Sequence, residues 1–171
     1  RDDPFAVLED ARIATVLRRL HGEANRQHLS IIRHFLPHVL SYVRRRFIPF
    51  AESEMAGFYA DKYIAIIEAQ GAFAYLTARA LRARTVVEFG TSFGLSTLWL
   101  AAAVRANGGG RVVTTEIVPD KARIARRNFE EAGLADLIDV REGDALASLA
   151  TDPADIDLVL NDGFPMRALD V

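Results

Sequence analysis

The chain has 171 residues, 50% of them hydrophobic and 26% charged, with a formal net charge of −2 and no cysteine. That length allows one domain with a real core, and the missing cysteines exclude disulfides, thiolate metal sites and a cysteine nucleophile. The near-neutral balance gives no reason to expect a nucleic-acid or membrane-surface partner. No apolar run reaches the length of a bilayer span. The opening Arg1-Asp2-Asp3-Pro4 does not read as a signal peptide, so a cytoplasmic location is expected. Lys62 and Lys121 are the only lysines, which leaves two candidates for a catalytic lysine.

Residues 1–83 read as an N-terminal helical leader. Phe5, Leu8, Ile13, Leu17 and Leu20 recur at helical spacing, and His21-Gly22 is expected to end that segment. Pro37 and Pro49 break the next stretch into short helices. Arg44-Arg45-Arg46 reads as a solvated helix face. His21, His28, His34 and His38 read as surface or capping residues. A last helix is expected from about Ala69 to Leu81, with Phe73, Leu76 and Leu81 on its apolar side.

Residues 84–171 alternate strand and helix. Thr85 to Phe89 is a β-branched run that ends at a glycine turn. Gly94 to Arg105 reads as a helix with Leu95, Leu98, Trp99 and Ala102 on one face, and Asn107-Gly108-Gly109-Gly110 stops it. Arg111 to Thr115 is a second strand. Pro119 opens the next helix at its first position, and Gly133 closes it. Leu137 to Val140 is a third strand, Asp144 to Leu149 a short helix, and Ile156 to Leu160 an apolar fourth strand. This order predicts an α/β fold: a Rossmann-like, doubly wound parallel sheet with right-handed crossovers. The fourth strand is expected beside the point where strand order reverses, and the strands beyond it are expected to be missing from this chain.

The chemistry concentrates in Val87-Glu88-Phe89-Gly90-Thr91-Ser92-Phe93-Gly94-Leu95-Ser96-Thr97. Its glycines let backbone approach a ligand, and the helix that follows offers free N–H groups to an anion. The spacing is G-x-x-x-G, not the G-x-G-x-x-G of dinucleotide sites. An amino-acid carboxylate therefore suits the site better than a pyrophosphate. Glu116, at the tip of the second strand, can accept hydrogen bonds from both ribose hydroxyls. Asp144 can accept from an adenine amino group, or cap its helix. Asn161-Asp162-Gly163 follows the fourth strand, where ligands of such sheets bind.

In this order the pieces resemble the class I S-adenosylmethionine (SAM)-dependent methyltransferases, in particular the small-molecule O-methyltransferases of catechol and caffeoyl-CoA type and their bacterial relatives. Residues 88–97 are similar to the family's E-x-G-T-x-x-G-x-S-T motif, and Gln70-Gly71 to its upstream Q-G. The resemblance implies SAM as cofactor, with Glu88, Gly90, Thr91, Ser92, Gly94 and Ser96 around its methionine end. Glu116 would hold the ribose, and Asp144 and Ala145 would edge the adenine. It implies a small, hydroxylated, aromatic acceptor, and places Asp162 as the catalytic and metal-binding aspartate of the Mg2+-dependent members. The family's lysine three residues further on is Pro165 here, which leaves a metal-free site, another acceptor atom or a non-catalytic SAM-binding protein as alternatives. The leader is expected to cover the acceptor side or to form a homodimer contact.

Overall fold

A computed structural model describes residues 3–27, 61–63, 65–150 and 154–163. Pro37, Pro49, Pro165, the arginine triplet and three of the four histidines lie outside these segments. Four parallel strands form one sheet in the order β3-β2-β1-β4: β1 (Thr85–Phe89), β2 (Arg111–Glu116), β3 (Ile138–Glu142) and β4 (Leu158–Asn161). The order reverses between β1 and β4, so the expected α/β, Rossmann-like, doubly wound pattern is present.

The first described turn is a 3-10 helix, Pro4–Val7, and α1 follows over residues 11–27. Phe5 and Leu8 thus stand outside the helix that carries Ile13, Leu17 and Leu20. His21-Gly22 does not end α1. A mid-helix glycine costs only about 1 kcal/mol, and tertiary packing outweighs it. His21 is buried, not at the surface: its Nε2 accepts a hydrogen bond from Trp99 Nε1 at 3.2 Å.

The helix before β1, α2 (Glu68–Ala80), presents a different face to the core from the one its large residues suggest. Gly71, Ala72, Tyr75 and Ala78 are buried, whereas Phe73 is 72% and Leu76 50% exposed. The small residues let α2 approach α3 (Leu95–Ala106); a Cβ on Gly71 would overlap the Trp99 indole. Close approach has replaced bulk as the packing device. Trp99 is core, as its register predicts, but α3 is buried on every side from Leu95 to Val104 rather than along one face. Phe5, Val16, Leu17 and Leu20 share one apolar cluster with α3 and with Val86 and Val112 of the sheet.

α4 (Pro119–Ala132) starts at Pro119 and ends at Gly133 as read, and α5 (Ala145–Leu149) is capped by the Asp144 side chain. β4 departs from expectation. It begins at Leu158, and its residues alternate between half-buried and exposed, with Val159 54% exposed. Asp157 is not a strand residue; its carboxylate accepts hydrogen bonds from the Arg84 and Thr85 N–H groups and ties β4 to the start of β1. β4 pairs with β1 on one side, and its other edge is unpaired among the described residues.

Candidate cofactor-binding site

The C-terminal ends of β1, β2 and β4 meet around Gly90. Gly90 has φ +102° and passes so close to the β4 loop that a Cβ would lie 2.8 Å from the Asp162 carbonyl oxygen. Only glycine meets both conditions without strain. Asp162 is fastened there by its own N–H, which donates to Phe89 O at 3.0 Å. Gly94 (φ +89°) is the N-cap of α3, and a Cβ on it would overlap the Phe129 ring. The two glycines thus turn the chain between strand and helix, with Gly90 half-buried at the strand end and Gly94 buried at the helix start.

The turn is clasped to the tip of β2. Ser92, itself at φ +50°, donates its N–H to Glu116 Oε2 at 2.7 Å, and Val118 N donates to Glu116 Oε1 at 2.9 Å. Each carboxylate oxygen holds two lone-pair sites, so one per oxygen is left for a ligand. Thr91 is locked inward: its N–H donates to Thr115 O at 2.9 Å, and its hydroxyl lies 2.6 Å from that of Thr114. The Ser92 hydroxyl is buried with no partner.

Glu88 stands behind this surface, with no exposed area. Its Oε2 accepts from the Thr114 hydroxyl at 2.6 Å and from that of Thr97, and Ser96 also hydrogen-bonds it. Its Oε1 has no partner. Burial pushes this carboxyl up to about 7, against the three hydroxyls, and the Asp162 charge pushes the same way. Burial also raises Asp162 above the usual aspartate range. Ser96 and Thr91 are buried with Glu88 and Gly94 is buried as well, so the candidate ligand face consists of Gly90, Ser92, Glu116 and Asp162.

On the far side, Gly143 N donates to Glu116 O at 2.9 Å and brings Asp144 and Ala145 alongside. Asp144 Oδ1 accepts from Leu146 N at 2.8 Å. It is an exposed helix cap. Sequence reasoning gave no place here to three neighbours, of which Lys121 was named only as one of two candidate catalytic lysines. Ile117 is 72% exposed directly after Glu116, an apolar shelf that an apolar residue behind a strand-tip acid could have signalled. Tyr63 packs its ring 4.4 Å from that of Phe93. Lys121 places its ammonium 5.3 Å from the Phe93 ring centroid. Neither contact has a sequence signal. Among the described residues no three His, Asp or Glu side chains cluster so as to hold a metal.

Residues 87–167 match the family model described as a methyltransferase domain. The chain is 48% identical over 88 residues to a catechol O-methyltransferase of Mycobacterium tuberculosis, covering 52% of this chain and 39% of that protein. It is 37% identical over 83 residues to a catechol O-methyltransferase of Niastella koreensis, covering 48% of this chain and 37% of that one. The chain thus spans well under half the length of these curated relatives. Among solved structures, the O-methyltransferase of Bacillus cereus in complex with S-adenosylhomocysteine superposes with a TM-score of 0.55 at 34% identity, covering 70% of this chain and 57% of that one. The likeness read from the motif is borne out: in family model, curated relatives and solved structure alike, this chain resembles the class I SAM-dependent methyltransferases of the O-methyltransferase type.

Proposed function

We propose that the chain binds SAM and belongs to an enzyme that transfers its methyl group to a hydroxyl of a small aromatic acceptor. The observation that carries this reading is the Ser92–Glu116 clasp. It leaves acceptor capacity on each carboxylate oxygen at a strand tip, which a ribose cis-diol would satisfy. The charge of the site agrees. Glu116, Asp144 and Asp162 are gathered at one end of the sheet, which repels a pyrophosphate and suits a ligand carrying a sulfonium and an ammonium. Glu88 Oε1, buried without a partner, is an acceptor left open behind the turn. Ile117 offers an apolar face for the adenine beside Asp144 and Ala145.

SAM supplies an activated methyl group on a good leaving group, so alignment is the main task of the protein. Gly90 and Gly94 place the turn, and Glu116 fixes the nucleoside. A phenol, with a pKa of about 10, must lose its proton before or during attack. Asp162, half-buried at the end of β4, is the group at hand to take it. Asp162 is also the candidate for Mg2+ ligation, and among the described residues it stands in no group of three His, Asp or Glu side chains. No described helix is long and apolar enough to cross a membrane. A cytoplasmic location, a division near residue 83 and a leader that covers the acceptor side or joins two copies complete the reading. Incubation with methyl-labelled SAM and a panel of catechols tests it. Label in the extracted catechol supports the proposal; label retained in SAM across the panel, with SAM bound, removes the acceptor assignment.

A further inference from the structure

Lys121 has no place in the chemistry above, yet it is 4% exposed, and lysine is almost never buried unless something compensates it. It sits in the first turn of α4, just beyond the Glu116 loop. Its ammonium faces the Phe93 ring at 5.3 Å, a cation–π contact that strengthens on desolvation. Burial lowers its pKa, and the attraction of Glu116, followed by that of Asp61, opposes the loss of charge. Phe93 is the next residue after Ser92, whose N–H holds Glu116 Oε2 at 2.7 Å. The Phe93 carbonyl is itself tied to Asn128 Nδ2 of the same helix at 2.9 Å. The ammonium is therefore seated on the ring of the turn that grips Glu116, and the Glu116 charge attracts it.

We propose that Lys121 is a positioning residue for the nucleoside subsite, holding the Phe93 turn and the Glu116 carboxylate in the spacing that a ribose diol requires. The inference rests on the SAM-binding reading. Lys121 works through Glu116, because its side chain is packed behind the turn and leaves almost no surface for a ligand to touch. A neutral side chain of similar length, as in Lys121→Met, keeps the packing but removes the pull on the carboxylate. An arginine keeps the charge and the contact with the ring.

The test is titration of S-adenosylhomocysteine by calorimetry against wild type, Lys121→Met, Lys121→Arg, Glu116→Gln and the double variant Lys121→Met/Glu116→Gln. Lys121→Met should weaken binding about tenfold, and Lys121→Arg should restore most of that loss. In the Glu116→Gln background the same Lys121→Met change should cost less than about twofold, since the group it positions is gone. Lys121→Gln replaces Lys121→Met if the latter fails to fold. Unchanged affinity in the neutral variant overturns the proposal. So does the same loss in both backgrounds, which would make Lys121 a packing residue only. A wild type that does not bind S-adenosylhomocysteine overturns the SAM reading itself, and this inference with it; a wild type that binds while the neutral variant matches it overturns this inference alone.

Discussion

Glu88→Gln isolates the cost of burying a carboxylate behind the cofactor turn. Glu88 has no exposed surface, an unpartnered Oε1 and a pKa pushed from 4.5 to about 7 by burial. The folded protein thus holds this proton more tightly than the unfolded chain does. Stability from Glu88 is complete below pH 4.5 and is lost as pH rises through 7. At about 1.36 kcal/mol per pH unit, the loss amounts to roughly 3 kcal/mol between the two limits. Glutamine is neutral at every pH and lacks this slope. Its amide leaves buried N–H groups beside Oε1 without an acceptor, at a cost of about 1–3 kcal/mol. Urea unfolding of both proteins from pH 5 to pH 8 measures the difference directly. The variant should be the less stable protein at pH 5 and should gain about 2.5 kcal/mol on wild type by pH 8. Equal pH slopes for the two proteins would refute the argument that burial governs Glu88.

His21 gives the opposite slope. Burial lowers its pKa below 6.5, so the unfolded chain takes up a proton that the folded one refuses, and stability should fall as pH drops below about 6.5. His21→Gln should flatten that limb in the same unfolding series, and a limb of unchanged steepness counts against it. Gly90→Ala adds a Cβ that would lie 2.8 Å from the Asp162 carbonyl at φ +102°; it should destabilise by about 1–3 kcal/mol and lower cofactor affinity, as thermal melts with and without S-adenosylhomocysteine would show. Asp162→Ala should abolish methyl transfer with cofactor affinity nearly intact. Wild-type activity should vanish with chelator and return with magnesium if a cation shares the deprotonation; full activity in excess EDTA leaves Asp162 as a base acting alone.

Local rules located the elements of the sheet well. β1 was legible in full, because a β-branched run between an arginine and a glycine turn has one reading. Pro119 and Gly133 marked α4 by backbone chemistry that tertiary packing does not override. What failed was the choice of faces. Phe73 and Leu76 look like the core side of α2, but contact with Trp99 selects Gly71, Ala72, Tyr75 and Ala78 instead, and no single helix encodes that choice. α1 runs through His21-Gly22 because His21 meets Trp99, 78 residues away. In the site, residue types and spacing found the carboxylates and the turn but not their direction. Thr91, Ser96 and Glu88 bond one another or β2 inside the fold, and that inward network depends on cross-strand register. Tyr63, and the place of Lys121 beside the turn, escaped because their partner, Phe93, is distant in sequence.

The central claim is that Glu116 and the turn that holds it form a nucleoside subsite for SAM. Calorimetric titration of S-adenosylhomocysteine against wild type and Glu116→Ala tests it most directly. Two charge-assisted hydrogen bonds, each worth about 1.5–3 kcal/mol, predict that the variant loses roughly a hundredfold or more in affinity. Tight binding by wild type with an equal affinity in Glu116→Ala would contradict the account.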